Sequence, residues 1–255
     1  MGKLIAVHSF RGGTGKSNVT ANLAALLALR GHRVGAVDTD IQSPGIHALF
    51  NVAADQLKFA LNDYLWKKCR IEEAACDVTD TLPAGKGAGQ GRLFIIPSSM
   101  RTGEITRILQ EGYDVGLLNN GFQQLIQRLQ LDFLLVDTHP GVNEETLLSS
   151  AISDMLLLIL RPDRQDYQGT AIMLELARQL EVPKIRLLIN KAVNQQDFAA
   201  LRERVESTYR TPVVGVIPLA EEIAVLGSTG LFCLLHPEHV MTTTLNQVVQ
   251  EILRD

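Results

Sequence analysis

The segment with the clearest chemical meaning is a glycine-rich loop at residues 11–17, RGGTGKS. It follows an apolar run and precedes a helical pattern, which is the setting of a phosphate-binding P-loop. Glycines let backbone N–H groups converge on phosphate oxygens, and the N-terminus of the next helix adds the positive end of its dipole. We expect Lys16 to reach the β- and γ-phosphates and Ser17 to bind magnesium. The residues predicted to hold the nucleotide are Gly12, Gly13, Thr14, Gly15, Lys16, Ser17 and Asn18.

Two carboxylates, Asp38 and Asp40, follow the next apolar run at residues 33–37. Ligands of open α/β sheets bind at the carboxyl ends of the strands, so both carboxylates are predicted to lie beside the P-loop. Asp38 is then a candidate magnesium ligand, and Asp40 is a candidate for orienting the attacking water. The alternative is that Asp40 is a turn or cap residue before the Ser-Pro-Gly at 43–45.

Two later strand ends carry further candidates. The apolar run at 133–136 ends in Asp137, which is typical of a Walker B carboxylate that binds magnesium through water. Four residues later, Gly141 is predicted to turn its N–H toward the γ-phosphate and so sense the nucleotide. Asn190 follows the run at 185–189, and its amide can hydrogen-bond a purine base edge, although it can also be a simple turn residue.

These candidates lie within a repeated strand–helix alternation. Strands are predicted at 4–7, 33–37, 92–96, 133–136, 155–160, 185–189 and 213–217. Helices are predicted at 19–30, 115–129, 144–153, 167–180 and 198–209. Strands that are apolar on both faces need helices on both sides of a mostly parallel sheet. We therefore expect an α/β fold in a single domain, residues 1–255, with a flexible glycine-rich surface loop at 81–91 and a C-terminal helix that docks on the core.

The composition argues against several classes of protein: uniformly basic nucleic-acid binders, disulfide-rich proteins and membrane-spanning proteins. The chain has 255 residues, of which 46% are hydrophobic and 20% charged, with a net charge of −4, so it can bury its own core and is not basic throughout. Three cysteines without a C-x-x-C pair argue against a disulfide framework. The longest apolar stretch, at residues 23–29, has seven residues, far below the roughly 20 of a membrane span, and the N-terminus does not have the pattern of a signal peptide. A cytoplasmic location is expected.

In its motifs and their order the chain resembles the MinD/ParA family of deviant-Walker P-loop ATPases. The resemblance rests on SFRGGTGKS at 9–17, ANLA at 21–24, VDTD at 37–40, VDTHPG at 136–141, an aspartate at 154 and VGVIP at 214–218. It implies a homodimer in the ATP state, magnesium as cofactor, and slow hydrolysis stimulated by a protein partner. It also implies that Asn190 reads the adenine and that Pro218 borders it.

The sequence departs from the family pattern at three positions. Phe10 stands where P-loops commonly have their first glycine. Arg11 replaces the usual lysine that reaches across the dimer to the partner's phosphates, so the resemblance implies a catalytic role in trans for Arg11, with a solvated loop residue as the alternative. His139 stands where an apolar residue or proline is commoner.

Several functions remain open at this stage. The resemblance favours an ATPase that positions or partitions a cellular cargo. A metal-insertion or cofactor-assembly ATPase would usually carry an interface cysteine pair, which Cys69 and Cys76, with six residues between them in an expected helical region, match poorly. A metabolic kinase or ligase would need a second substrate pocket, and a regulatory scaffold would bind ATP with negligible hydrolysis.

Possible surface partners follow from charge. Non-specific DNA binding is possible through a late basic group, although a solvated face explains that group equally well. Its members are Lys184, Arg186, Arg202, Arg204 and Arg210. Direct membrane binding is not expected, because the C-terminal helix has only Arg254 as a basic residue where a membrane-surface helix should be rich in lysine and arginine.

Overall fold

Eight strands form one sheet in the computed structural model, which describes residues 2–83, 91–193 and 197–254. The strands are β1 (Lys3–His8), β2 (Arg33–Asp38), β3 (Cys76–Asp77), β4 (Arg92–Ile96), β5 (Phe133–Asp137), β6 (Met155–Leu160), β7 (Ile185–Ala192) and β8 (Val213–Pro218). Their spatial order is β3-β4-β2-β5-β1-β6-β7-β8. All neighbours run parallel except β3, which pairs antiparallel with β4.

Helices cover both faces of this sheet, as the apolar strands predict. Their bounds are α1 (Lys16–Ala28), α2 (Ile46–Leu49), α3 (Leu61–Leu65), α4 (Thr102–Glu111), α5 (Val115–Arg128), α6 (Glu144–Ala151), α7 (Arg164–Gln179), α8 (Phe198–Tyr209), α9 (Glu221–Leu226), α10 (Phe232–Leu235) and α11 (Val240–Leu253). Successive strand residues point to opposite faces. In β5, Leu135 joins the core cluster with α1 and α11, whereas Leu134 and Val136 join the cluster with α3 and α5. The α/β fold is therefore confirmed.

The register of the central strands brings the candidate residues to one edge of the sheet. Val7 in β1 lies beside Asp137 in β5, and Asp38 in β2 lies beside Asp137 on the other side. Because the three strands are parallel, the loops that follow them leave the sheet at the same edge. Those loops carry the P-loop, the Asp38–Asp40 pair and the residues after Asp137.

Some local expectations were wrong. The first helix starts at Lys16 and ends at Ala28 rather than spanning 19–30. The segment around Cys69 and Cys76 is not α-helical: Cys69 lies in a bend, a single 3-10 turn spans Ile71–Glu73, and Cys76 begins β3. The expected glycine-rich loop falls largely on residues 84–90, outside the described residues.

The C-terminal helix docks on the core as expected. The apolar side chains Leu245, Val248, Val249 and Ile252 of α11 are buried in the cluster that also contains α1. None of the helices in the described part of the chain combines the length and apolar character needed to cross a bilayer.

Candidate functional site

The P-loop forms one wall of a cavity of about 460 Å³ at the carboxyl edge of the sheet. The backbone of Gly15 has a φ of 91°, and an added Cβ would lie 2.6 Å from the Asn190 side chain, so both conformation and space require glycine here. Helix α1 begins at the next residue, Lys16, and its first N–H groups and dipole are directed at the cavity. All seven residues predicted to hold the nucleotide line the cavity: Gly12, Gly13, Thr14, Gly15, Lys16, Ser17 and Asn18.

The departure at Phe10 is accommodated by a glycine on another element. The Phe10 ring packs against Gly169 of α7, where an added Cβ would come within 2.0 Å of the ring. A side chain at 169 would therefore displace Phe10. The absence of a side chain at Gly169 in α7 therefore leaves the space that the Phe10 ring occupies.

Beneath the loop, Lys16 and Asp137 form a buried ion pair. The Lys16 Nζ lies 2.9 Å from Asp137 Oδ1, and the two side chains are 6% and 0% exposed. Burial opposes the charged form of Lys16, but the Asp137 carboxylate, together with smaller contributions from Asp40 and Asp38, outweighs burial and raises the pKa of the lysine. The other oxygen, Asp137 Oδ2, is buried without a hydrogen-bond partner among the described residues. An unsatisfied carboxylate oxygen beside a P-loop serine is the donor chemistry that Mg²⁺ prefers, so these residues fit a magnesium ion.

Asp38 is buried next to this pair, but its oxygens are already engaged. Oδ2 accepts from the backbone N–H of Gly45 (2.9 Å) and Ile46 (3.1 Å), and Oδ1 accepts from that of Asp40 (3.1 Å). Burial raises the pKa of Asp38 to about 7, and the nearby Asp137 charge adds to this. Asp38 therefore organises the loop after β2, and its role as a magnesium ligand remains a prediction.

Asp40 lines the nucleotide cavity and is tied to His139. His139 Nδ1 lies 2.8 Å from Asp40 Oδ1, and that same oxygen accepts a longer bond from the Ser43 N–H at 3.3 Å. The bond to Asp40 raises the pKa of His139. Sequence reasoning placed both residues at this edge but did not pair them, because they are 99 positions apart.

Gly141 lies at the same edge, with its N–H donating to the Ser9 carbonyl at 3.1 Å. A nucleotide-sensing role would require this N–H to exchange the Ser9 carbonyl for a phosphate oxygen. That role remains a prediction.

Asn190 and Lys191 hold the P-loop from the opposite side. Asn190 Nδ2 donates to the Thr14 carbonyl at 2.7 Å, and Lys191 Nζ donates to the Gly13 carbonyl at 2.7 Å. Asn190 also lines the cavity, as the role of base reader requires, but its amide nitrogen already has a partner. The anchoring role was missed because nothing in the N-K dipeptide shows which carbonyls it meets.

Apolar side chains also line the cavity, among them Pro218, Leu219 and Ile223 of α9. That Pro218 borders the adenine remains a prediction. An apolar slot next to an amide such as Asn190 suits a purine base, which combines a flat apolar ring with a polar edge. Ile223 was not singled out from the sequence, because a six-residue helix has too few turns to show a periodic pattern.

Arg11 lies within reach of acidic residues of its own subunit. Its Nη1 lies 3.5 Å from Asp166 and 3.6 Å from Asp163, both of which also contact Arg161. Asp163 caps the N-terminus of α7. Arg11 is 39% exposed, so it is neither buried nor simply solvated. The capping position of Asp163 could be read from the sequence, but its proximity to Arg11 depends on the fold.

The late basic group is partly neutralised. Arg186 Nε lies 2.9 Å from Glu251, and Arg202 Nε lies 3.3 Å from Glu206. Both arginines therefore have less free charge to offer a phosphate backbone than the sequence count implies.

Comparison with known proteins places this geometry in a family. A family model described as the CobQ/CobB/MinD/ParA nucleotide-binding domain matches residues 5–231. The putative septum site-determining protein MinD of Guillardia theta is 26% identical over 237 residues, 90% of this chain and 80% of that protein. The antiactivator FleN of Pseudomonas aeruginosa is 28% identical over 228 residues, covering 87% and 75%. The iron-sulfur cluster carrier protein of Pyrococcus furiosus is 27% identical over 192 residues, covering 73% and 60%.

Experimental structures agree on the fold. The cell division ATPase MinD of Pyrococcus furiosus superimposes with a TM-score of 0.80 at 22% identity, covering 100% of this chain and 99% of that one. MinD of Pyrococcus horikoshii, determined as a complex with Mg-ADP, gives a TM-score of 0.80 at 20% identity, covering 99% and 96%. At these identities the similarity establishes the shared fold.

Proposed function

The chain belongs to the CobQ/CobB/MinD/ParA family of nucleotide-binding domains, and we propose that it is a slow, Mg²⁺-dependent ATPase of the MinD/ParA type. The observation that carries this proposal is the buried Lys16–Asp137 pair under a glycine loop that opens onto a cavity. A cation and a carboxylate that are buried without a ligand are costly to maintain for stability alone. When a triphosphate and its metal ion are bound, Lys16 can contact the phosphates and Asp137 can bind the metal.

We assign roles as follows. Lys16 moves from Asp137 to the β- and γ-phosphates, and the P-loop amides bind the phosphate oxygens. Ser17 and Asp137 would hold magnesium, with Asp38 as a further candidate, and the bound ion would supply positive charge beside the transferring phosphoryl group. Asp40 orients the attacking water, while Asn190 and Pro218 bind the adenine.

The proposed active form is a homodimer in the ATP state. Arg11 would leave Asp163 and Asp166 and contact the phosphates bound by the partner subunit. These intrasubunit contacts are 3.5–3.6 Å long, and two of the three side chains are about 40% exposed, so they cost little to break. Arginine suits this task because its planar group contacts phosphate oxygens in pairs.

Within the family, positioning or partitioning of a cellular cargo is the role we favour, in the cytoplasm and with a protein partner that stimulates hydrolysis. Similarity to a MinD protein over most of both chains supports it. FleN is named an antiactivator, which supports a regulatory role, and the alternative we consider is a regulatory scaffold that binds ATP with negligible hydrolysis. Turnover with and without a stimulating partner separates these two roles.

A cofactor-assembly role is the second candidate, because an iron-sulfur cluster carrier is among the relatives. The thiols argue against it. Burial raises the pKa of Cys69 to about 11 and that of Cys233 to about 12, and it also raises the pKa of Cys76. None of the three cysteines forms a C-x-x-C pair, and Cys233 is buried, so they give a cluster-carrier role little support.

Two surface interactions belong to the same proposal. We expect no direct membrane binding through α11, because its apolar face is buried in the core. Any DNA binding by the late basic group should be non-specific and should weaken steeply with salt. Co-sedimentation of the ATP-bound protein with DNA or with anionic vesicles tests both expectations.

The proposed activity is tested by phosphate release from Mg·ATP and by mass in solution. We expect slow phosphate release that requires magnesium, and a dimer with the non-hydrolysable analogue but not with ADP. Absence of both would contradict the proposed function.

A further inference from the structure

We propose that His139 is a positioning residue for Asp40. Its hydrogen bond to Asp40 links the loop after β2 to the loop after β5 and orients the Asp40 carboxylate toward the attacking water. This inference rests on the proposed ATPase function. Its structural part, the tie between the two loops, can also be tested without turnover.

The chemistry of the two side chains shows which of them donates the hydrogen bond. His139 Nδ1 lies 2.8 Å from Asp40 Oδ1, and the side chains are 24% and 13% exposed. An ionised carboxylate only accepts hydrogen bonds, so His139 Nδ1 carries the hydrogen. A partly buried bond to a charged acceptor is shorter and stronger than a neutral one.

The bond leaves the two oxygens of Asp40 with different roles. Oδ1 accepts from both His139 Nδ1 and the Ser43 N–H. Oδ2 has no hydrogen-bond partner within residues 2–83, 91–193 and 197–254. One oxygen is therefore anchored and the other remains able to accept a hydrogen bond from water.

His139 does not line the nucleotide cavity. Asp40 lines the nucleotide cavity, whereas His139 lines a separate cavity of about 300 Å³ together with Thr39, Tyr113 and Glu145. The Asp40–His139 bond thus lies in the wall between the two cavities. The imidazole holds the Asp40 carboxylate from the side away from the nucleotide cavity, and it affects the reaction only through Asp40.

Two sets of hydrogen bonds join the loop after β2 to the loop after β5. At the sheet edge, the Thr39 N–H and hydroxyl both donate to the Asp137 carbonyl, at 2.9 and 3.1 Å. Further out, the Asp40–His139 bond is the second tie. Because His139 lies between Asp137 and Gly141, movement of this loop when a γ-phosphate binds would be passed directly to Asp40.

The functional test compares His139→Leu with His139→Asn. Leucine removes the donor, whereas asparagine can offer an amide N–H close to the position of Nδ1. We expect His139→Leu to lower kcat by about tenfold or more, the effect of losing a bond to a charged group, with ATP affinity within about twofold of the parent. We expect His139→Asn to recover most of the lost turnover.

The structural test uses amide hydrogen exchange of residues 39–46 in the nucleotide-free protein. We expect His139→Leu to speed exchange there by about tenfold, and His139→Asn to leave it near the parent rate. In an Asp40→Ala background, His139→Leu should cause no further increase, because the bond is already absent.

Parent-like exchange and kcat in His139→Leu would overturn the inference. So would an equal acceleration of exchange with and without Asp40. If the parent protein releases no phosphate from ATP, the proposed function fails, while the exchange experiment still decides whether His139 holds Asp40.

Discussion

Asp137 lies 2.9 Å from the ammonium group of Lys16, and both side chains are buried beneath the glycine-rich loop. In the nucleotide-free protein Lys16 and Asp137 neutralise each other. On the proposed function, a phosphate then becomes the partner of Lys16 and a metal ion the partner of Asp137. The same pair therefore affects both the stability of the nucleotide-free protein and its binding of nucleotide.

Breaking this pair from one side should destabilise the nucleotide-free protein. We expect Asp137→Ala to lower the free energy of unfolding by about 3–5 kcal/mol, because it leaves the Lys16 ammonium buried and unpaired. The Lys16→Ala/Asp137→Ala double variant should be more stable than Asp137→Ala. Urea unfolding measures both, and equal stability of Asp137→Ala and the double variant would show that a buried, unpaired Lys16 costs no stability.

Asp40→Ala should bind Mg·ATP and dimerise like the parent but release phosphate much more slowly, since the carboxylate that orients water is lost. Single-turnover kinetics together with nucleotide titration measure this. Asp55→Ala, at an exposed acid in the described part of the chain, is the matched control. Parent-like turnover in Asp40→Ala would mean that Asp40 is only a turn residue.

Arg11→Ala should bind ATP as a monomer and lose ATP-dependent dimerisation, turnover or both, whereas Arg11→Lys should retain dimerisation. Mixing Arg11→Ala with Lys16→Ala should partly restore turnover if mixed dimers form, because the first subunit binds ATP and receives Arg11 from the second. Light scattering and phosphate release measure these effects. An Arg11→Ala protein that dimerises and hydrolyses ATP normally would rule out a role in trans.

His8 gives a prediction about pH. It is fully buried with Nδ1 2.6 Å from the Thr138 hydroxyl, and burial lowers the pKa of His8 to about 3. Below pH 6.5 the unfolded chain binds a proton that the folded chain excludes, so stability falls as pH drops from about 6.5 toward 3. The loss attributable to His8 is about 1.4 kcal/mol per pH unit.

The control for this prediction is His8→Asn, which can still hydrogen-bond Thr138 but does not titrate. Urea unfolding from pH 7 to pH 4.5 should show a smaller loss of stability in His8→Asn than in the parent. Parallel pH profiles would show that folding does not lower the pKa of His8.

The sequence was most informative where the chemistry is local. Glycines, lysine and serine in register predicted the P-loop, and long apolar runs predicted seven of the eight strands in the described chain. The two-residue strand β3 and the short helices α2, α3, α9 and α10 were missed, because a hydrophobic period needs more than one repeat to be visible. The ten-residue helix α4 was also not predicted.

Contacts between distant positions could not be predicted in the same way. The Asp40–His139 bond, the proximity of Arg11 to Asp166 and the space that Gly169 leaves for Phe10 all join separate loops and helices. Each depends on sheet order and helix packing, which local spacing does not encode. These contacts occur at or beside the three positions where the chain departs from its family pattern.

The central claim, that the buried Lys16–Asp137 site binds Mg·ATP, is tested most directly by calorimetric titration. The parent protein should bind Mg·ATP, Lys58→Ala at an exposed lysine should bind equally well, and Lys16→Ala should show no tight binding. Circular dichroism would verify that all three proteins are folded. ATP affinity in folded Lys16→Ala equal to that of the parent would contradict the account.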